Sequence, residues 1–180
     1  LLKRSSAYYW SSAGRCGNIG DVFQHPSGSN AGTVTFRSWY DQAPTDALLF
    51  GVSSSAKASN ILYVGNGATR SITSREQFVS QVIGEGVCTS RHGSESTNCG
   101  SLTNIDQDIY VCPSGQACRF ILNMSRSAGT PNGPGDSGSP MYYGTKALGM
   151  ASEGGSNYAW YNQIQAIENT FGATVLTSIP

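Results

Sequence analysis

An all-β fold is predicted by three observations. Only 12% of the 180 residues are charged, about half the roughly 25% usual in soluble domains. The chain also carries 22 glycines. Solvent-facing helices normally present surfaces rich in Lys and Glu, so a chain this poor in charge and rich in Gly, Ser, Thr and Asn favours short strands joined by turns. Third, short alternating or apolar segments bounded by turn residues recur along the whole sequence, which is the spacing of a sandwich or barrel. There is no long low-complexity stretch and no repeat with a period of roughly 20–50 residues, so solenoids and propellers are unsupported.

Taken in order, the predicted strands are Thr33–Trp39, Asp46–Val52, Asn60–Val64, Gln77–Ile83, Ile109–Val111, Arg119–Met124, Pro140–Tyr143 and Lys146–Ala151. One segment breaks the pattern. Ile164, Ile167 and Phe171 fall at helical spacing, i, i+3 and i+7, and Gly172 follows in the position of a C-cap. This predicts one amphipathic C-terminal helix over Asn162–Phe171. If the strands form two units, the junction is expected in the Gly65–Ser74 region.

Eleven Lys+Arg balance eleven Asp+Glu, for a formal charge of zero. That balance lacks the basic footprint that phosphate backbones require, so no nucleic-acid partner is expected. The longest apolar run, Ala47–Val52, is far short of the roughly 18 residues a membrane helix needs, so no membrane partner is expected either. No signal-peptide pattern begins at Leu1. The chain reads as soluble and, if exported, already processed.

Five cysteines stand at positions 16, 88, 99, 112 and 118. None has the double Cys-x-x-Cys spacing of a structural zinc site, so no metal is expected and disulfides are the better reading. Cys112 and Cys118 bracket a turn-forming insert, and Cys88 and Cys99 bracket a polar loop. Cys16 is left single. In an oxidising compartment an odd cysteine implies an intermolecular partner, a buried thiol, or a chain lacking the segment that carried its mate.

The most specific string is Gly135-Asp136-Ser137-Gly138-Ser139-Pro140, preceded by Pro131-Asn132-Gly133-Pro134. Glycines on both sides of a serine let the backbone turn tightly and expose the hydroxyl. They also aim the Gly135 and Ser137 amides at one point, as an oxyanion hole requires. Asp136 is placed to lock that loop. The same residues are also common in ordinary β-turns, so composition leaves the choice open.

This sextet resembles the nucleophile motif of the chymotrypsin-like serine proteases, the trypsin superfamily. Thr45-Asp46-Ala47-Leu48-Leu49 resembles the segment that carries the triad aspartate, and Ala147–Ser152 the strand lining the substrate cleft. Phe171–Leu176 resembles the C-terminal helix exit of the secreted actinobacterial branch, the streptogrisin and α-lytic type. These landmarks keep the family's order over most of the chain. The resemblance implies two antiparallel six-stranded barrels with a C-terminal helix: residues 1–70 as the first barrel, with its start incomplete, and 71–180 as the second. It also implies an extracellular peptide-binding monomer, no cofactor, Ser137 as nucleophile, Asp46 as orienting carboxylate, and Gly135 and Ser137 as oxyanion donors.

The same comparison locates a departure at the base. The family carries its catalytic histidine in an Ala-Gly-His-Cys type string, and the corresponding string is Ala13-Gly14-Arg15-Cys16. Arginine has no free lone pair and a pKa above about 12, so it can neither accept the serine proton nor return it to the leaving group. Removing a triad histidine costs on the order of 10⁶ in kcat. The expected product is a protease scaffold without a base, a pseudoprotease, with Arg15 paired to Asp46 in a fork. The only histidines, His25 and His92, lie outside matching contexts and read as loop residues.

Two more departures concern the ends of the cleft. The family has strands upstream of its histidine, one with the cysteine that would pair with Cys16, whereas here only fourteen residues precede Arg15. Either an incomplete first barrel, or a chain that is a fragment or an imperfectly determined sequence, is the expectation. Pro131 and Tyr158 stand where actinobacterial relatives often carry a disulfide, and Pro131 puts no charge at the base of the primary pocket. Ser152, Glu153 and Gly154 are expected on the cleft wall. Glu153 reads either as favouring a basic group at a neighbouring subsite or as a solvated carboxylate.

Overall fold

The structure, a computed structural model, describes residues 1–24, 27–52, 58–91 and 96–179. His25 and His92 lie outside the described residues. In chain order the strands begin with β1 (Leu2–Arg4), β2 (Ala7–Ser12), β3 (Val22–Gln24), β4 (Asn30–Ser38) and β5 (Ala47–Gly51). A hairpin of β6 (Ile61–Gly65) and β7 (Ala68–Ser71) follows, then β8 (Ser74–Arg75) and β9 (Gly86–Ser90). Next come β10 (Thr97–Val111), β11 (Arg119–Ala128), β12 (Pro140–Tyr143), β13 (Lys146–Gly155) and β14 (Tyr158–Gln163). Helix α1 (Ile164–Phe171) and β15 (Thr174–Val175) end the chain.

The first sheet runs β15-β1-β2-β5-β4-β3. Its central strand β5 is buried on both faces, because alternate side chains point to opposite sides of a strand. Leu48 and Phe50 pack with Ala31 and Val34, while Ala47 and Leu49 pack with Leu2, Met150, Ile167 and Phe171. The second cluster joins the first sheet to β13 and α1. Each of the Leu, Ile, Val, Phe and Met side chains contributes roughly 1.5–3 kcal/mol by leaving water.

The second sheet runs β12-β9-β10-β11-β14-β13-β8, and β12 also pairs with β13, so the six strands from β12 to β13 close on themselves. Val87, Leu102, Met141, Leu148, Ala151 and Tyr161 fill part of the interior. Cys88 pairs with Cys99 and Cys112 with Cys118. Cys16 is a free, exposed cysteine, which removes the buried-thiol alternative.

Two predicted elements are corrected. Gln77–Ile83 is not a strand: Phe78–Ser80 forms a short 3₁₀ turn, closed by Ser80 N–H on the Gln77 carbonyl at 3.0 Å. Val79, Val82 and Ile83 face solvent there, while buried Gln81 accepts from the Ser125 hydroxyl at 3.0 Å. The apolar run therefore serves as a connection rather than a ladder. The helix begins at Ile164, because Asn162 and Gln163 complete β14. Its C-cap is as expected, with Gly172 left-handed at φ 59° and its N–H donating to Glu168 O.

Candidate functional site

Arg15 lies in a tight 3₁₀ turn, Gly14–Cys16, just after β2. A Cβ on Gly14 would lie 2.6 Å from Ser38 O and 2.9 Å from Ala47 N, so only glycine lets this turn sit against β4 and β5. The turn presents Arg15 N–H to Asp46 Oδ1 at 3.0 Å. Asp46 is fully buried, and a side chain from the other sheet clamps its backbone. Asp46 N–H donates to Asn162 Oδ1 at 2.8 Å, and Asn162 Nδ2 donates to Asp46 O at 3.0 Å.

The Gly133–Ser139 loop is held by its own aspartate. Asp136 Oδ2 accepts from Gly133 N–H at 2.9 Å and from Arg91 Nε at 2.8 Å. Asp136 N–H returns to Gly133 O at 3.1 Å, and Ser139 N–H to Asp136 O at 2.9 Å. Gly138 has φ 90°, and a Cβ there would lie 2.4 Å from Ser12 Oγ. That absent Cβ brings the loop onto the end of β2.

The two halves meet at the Arg15 guanidinium, whose side chain is only 10% exposed. Nη1 pairs with Asp46 Oδ2 and donates to Ser152 Oγ at 2.8 Å. Nη2 donates to Ser137 Oγ at 2.7 Å and also to Ser152 O. Ser152 Oγ in turn donates to Asp46 Oδ2 at 2.7 Å. The expected Arg15–Asp46 pair is present but is not a two-pronged fork: Asp46 Oδ1 is occupied by the Arg15 backbone, and Nη2 is drawn to Ser137 and Ser152.

Beside this cluster lies a cavity of about 320 Å³ lined by Arg15, Asn132, Ser137, Ser152, Glu153 and Gly154 among others. The loop closed by Cys112–Cys118 forms another wall through Pro113 and Ser114. From the same loop, Gln116 Nε2 donates to Arg15 O at 3.2 Å. Glu153 Oε2 accepts from Cys112 N–H at 3.3 Å. Pro131 does not line the cavity. Its neighbour Asn132 does, buried, with Nδ2 on Ser152 O at 3.1 Å. Sequence reasoning missed Asn132 and Asn162: an asparagine before Gly133-Pro134 reads as a turn former, and one before a helical pattern reads as part of the helix.

No protein-family model and no curated protein sequence matches the chain. Solved structures do. Thermobifida fusca protease A superposes with a TM-score of 0.79 at 21% identity, over 98% of this chain and 89% of that one. Nocardiopsis protease gives 0.77 at 20%, over 97% and 88%. Cellulomonas bogoriensis chymotrypsin gives 0.75 at 18%, over 93% and 85%. The chain has the chymotrypsin-like protease fold. Within that fold, Arg15, Asp46, Ser137, Ser152 and Asn162, from five separate segments, converge between the two sheets. Among the described residues there is no group of three or more His, Cys, Asp and Glu that could hold a metal ion, and no helix is long and apolar enough to cross a membrane.

Proposed function

We propose that this chain is an exported, monomeric serine-protease homologue that binds peptide in its cleft without hydrolysing it efficiently. In this reading Ser137 stands in the nucleophile position, Gly135 and Ser137 supply oxyanion donors, and Asp46 is the carboxylate that orients the base. The observation that carries the reading is the Arg15 Nη2 donor 2.7 Å from Ser137 Oγ. A guanidinium donates a hydrogen bond there and has no lone pair to take the serine proton. Two disulfides agree with an oxidising destination.

Peptide binding draws support from the edge of β13. Its β12 side is paired only as far as Met150, with backbone bonds between Ala151 and the Gly138–Ser139 segment continuing one residue further. Among the described residues no strand covers Ser152–Gly154 on that side, so an extended chain can add there by main-chain hydrogen bonds.

The test is the rate at which a fluorophosphonate probe labels Ser137, followed by intact mass. Slow labelling is expected in the unmodified chain, because no adjacent base activates the hydroxyl. Arg15→His should raise the rate by at least about 10³, given the size of the loss when a triad base is removed. Rapid stoichiometric labelling of the unmodified chain overturns the non-hydrolytic reading.

A further inference from the structure

The loop around Ser137 uses its backbone donors unevenly. Gly133, Asp136, Gly138 and Ser139 all donate N–H to protein acceptors, at 2.9, 3.1, 2.8 and 2.9 Å respectively. Pro134 has no N–H. Among the described residues, the Gly135 and Ser137 amides have no protein acceptor. Gly135 is exposed and Ser137 half-buried, so a ligand can reach both.

What stands beside this pair of donors is a permanent cation. Arg15 Nη2 is 2.7 Å from Ser137 Oγ, and that neutral hydroxyl is a weaker partner for a guanidinium than a carboxylate is. Asp46, which shares the guanidinium's charge, is fully buried behind it, whereas the Arg15 side chain keeps a tenth of its surface open and lines the cavity. The edge of β13 at Ser152–Gly154, which among the described residues no strand covers although Arg15 and Asn132 side chains reach Ser152 O, leads an extended chain to the same point. Two free amides, a cation and a strand edge are the equipment for capturing the end of a peptide, because backbone N–H groups and an arginine both favour an anion.

We propose that the site is a receptor for the free C-terminal carboxylate of an extended peptide. The carboxylate lies on the Gly135 and Ser137 amides next to Arg15, and the last side chain enters the cavity lined by Asn132, Glu153 and Gly154. This inference rests on the non-hydrolytic reading: arginine at position 15 abolishes base catalysis and, in the same substitution, supplies a charge that holds a carboxylate.

The experiment compares fluorescein-labelled, alanine-rich hexapeptides ending in lysine, leucine, phenylalanine or serine, each made as the free acid and as the C-terminal amide. Binding is read by fluorescence anisotropy and integrity by mass spectrometry. The expected result is that for at least one ending the acid binds at least about tenfold tighter than its amide, which corresponds to about 1.4 kcal/mol. Arg15→Gln should collapse that difference. Because that variant leaves Asp46 buried without its cation, the neutral double variant Arg15→Gln/Asp46→Asn is measured beside it and should collapse the difference equally. Acid and amide binding with equal affinity overturns the carboxylate inference while leaving the peptide-binding cleft standing. Cleavage of the amides, or no binding by any peptide, overturns the proposed function itself.

Discussion

Two buried aspartates flank Ser137, and an arginine holds each of them by different means. Asp136 belongs to the loop it shapes: apart from Arg91, its described partners are Gly133 and Ser139, three residues away on either side. Asp46 comes from the first sheet and collects its partners across the molecule, from Arg15 at a separation of 31 residues, Ser152 at 106 and Asn162 at 116. One pair shapes a loop and the other joins two sheets at the Ser137 hydroxyl. The contrast teaches that the described contacts holding the backbone of the Ser137 loop centre on Asp136, whereas Arg15 meets the loop at the Ser137 hydroxyl. A change at position 15 is therefore expected to alter chemistry while the loop stays assembled.

The largest expected effect follows directly. In the Arg15→His background, Asp136→Ala should slow fluorophosphonate labelling of Ser137 by at least about 10², the scale on which oxyanion donors act. The Gly133 N–H and Arg91 lose the acceptor that sets the loop. If the double variant labels as fast as Arg15→His alone, the loop does not need Asp136 and the comparison breaks.

Stability separates the two pairs next. Arg15→Ala leaves a fully buried carboxylate without its guanidinium and should cost about 3–5 kcal/mol in urea unfolding. Arg91→Ala should cost less, about 1–3 kcal/mol, since Asp136 keeps the Gly133 N–H and the Arg91 side chain is already 24% exposed. Equal losses would erase the distinction.

The disulfides sharpen the spatial side of the argument. Replacing either pair with serine should cost roughly 2–3 kcal/mol by chain entropy. Only loss of Cys112–Cys118 should also weaken binding of the hexapeptides, because that loop walls the cavity and holds Gln116 on Arg15 O. Cys88–Cys99, between β9 and β10, should leave peptide affinity unchanged.

The smallest effect provides a pH baseline remote from both aspartates. Burial pushes the Glu76 carboxyl up, but hydrogen bonds from Lys146 and Ser80 outweigh it and hold the group below its ordinary 4.5. A carboxyl lowered in the folded state contributes stability that is fully present above its unfolded value and is lost as pH falls through its lowered folded value. Unfolding free energy measured from pH 6 down to pH 3 should therefore fall less steeply in Glu76→Gln than in the unmodified chain. An unchanged slope would rule out that contribution.

The sequence by itself determined the all-β class, both disulfides and the C-terminal helix with its glycine cap. Each of these rests on local physics: strand-length segments between turn residues, short loops between cysteines, and a 3.6-residue period ended by a residue free to adopt positive φ. It also marked Arg15, Asp46 and Ser137, through motif order. Tertiary structure decided what local signals do not carry. The apolar stretch Gln77–Ile83 became a turn because its backbone closed on itself and, of its residues, only Gln81 is buried. Asn162 became the clamp on Asp46, and Asn132, not Pro131, became a cavity wall. The guanidinium of Arg15 was divided among Asp46, Ser137 and Ser152 instead of forking on Asp46. An asparagine or an arginine has the same propensity whether it faces water or a buried partner, such as the Asp46 backbone 116 residues from Asn162 or the Asp46 carboxylate 31 residues from Arg15. Only the packing of the two sheets supplies that partner.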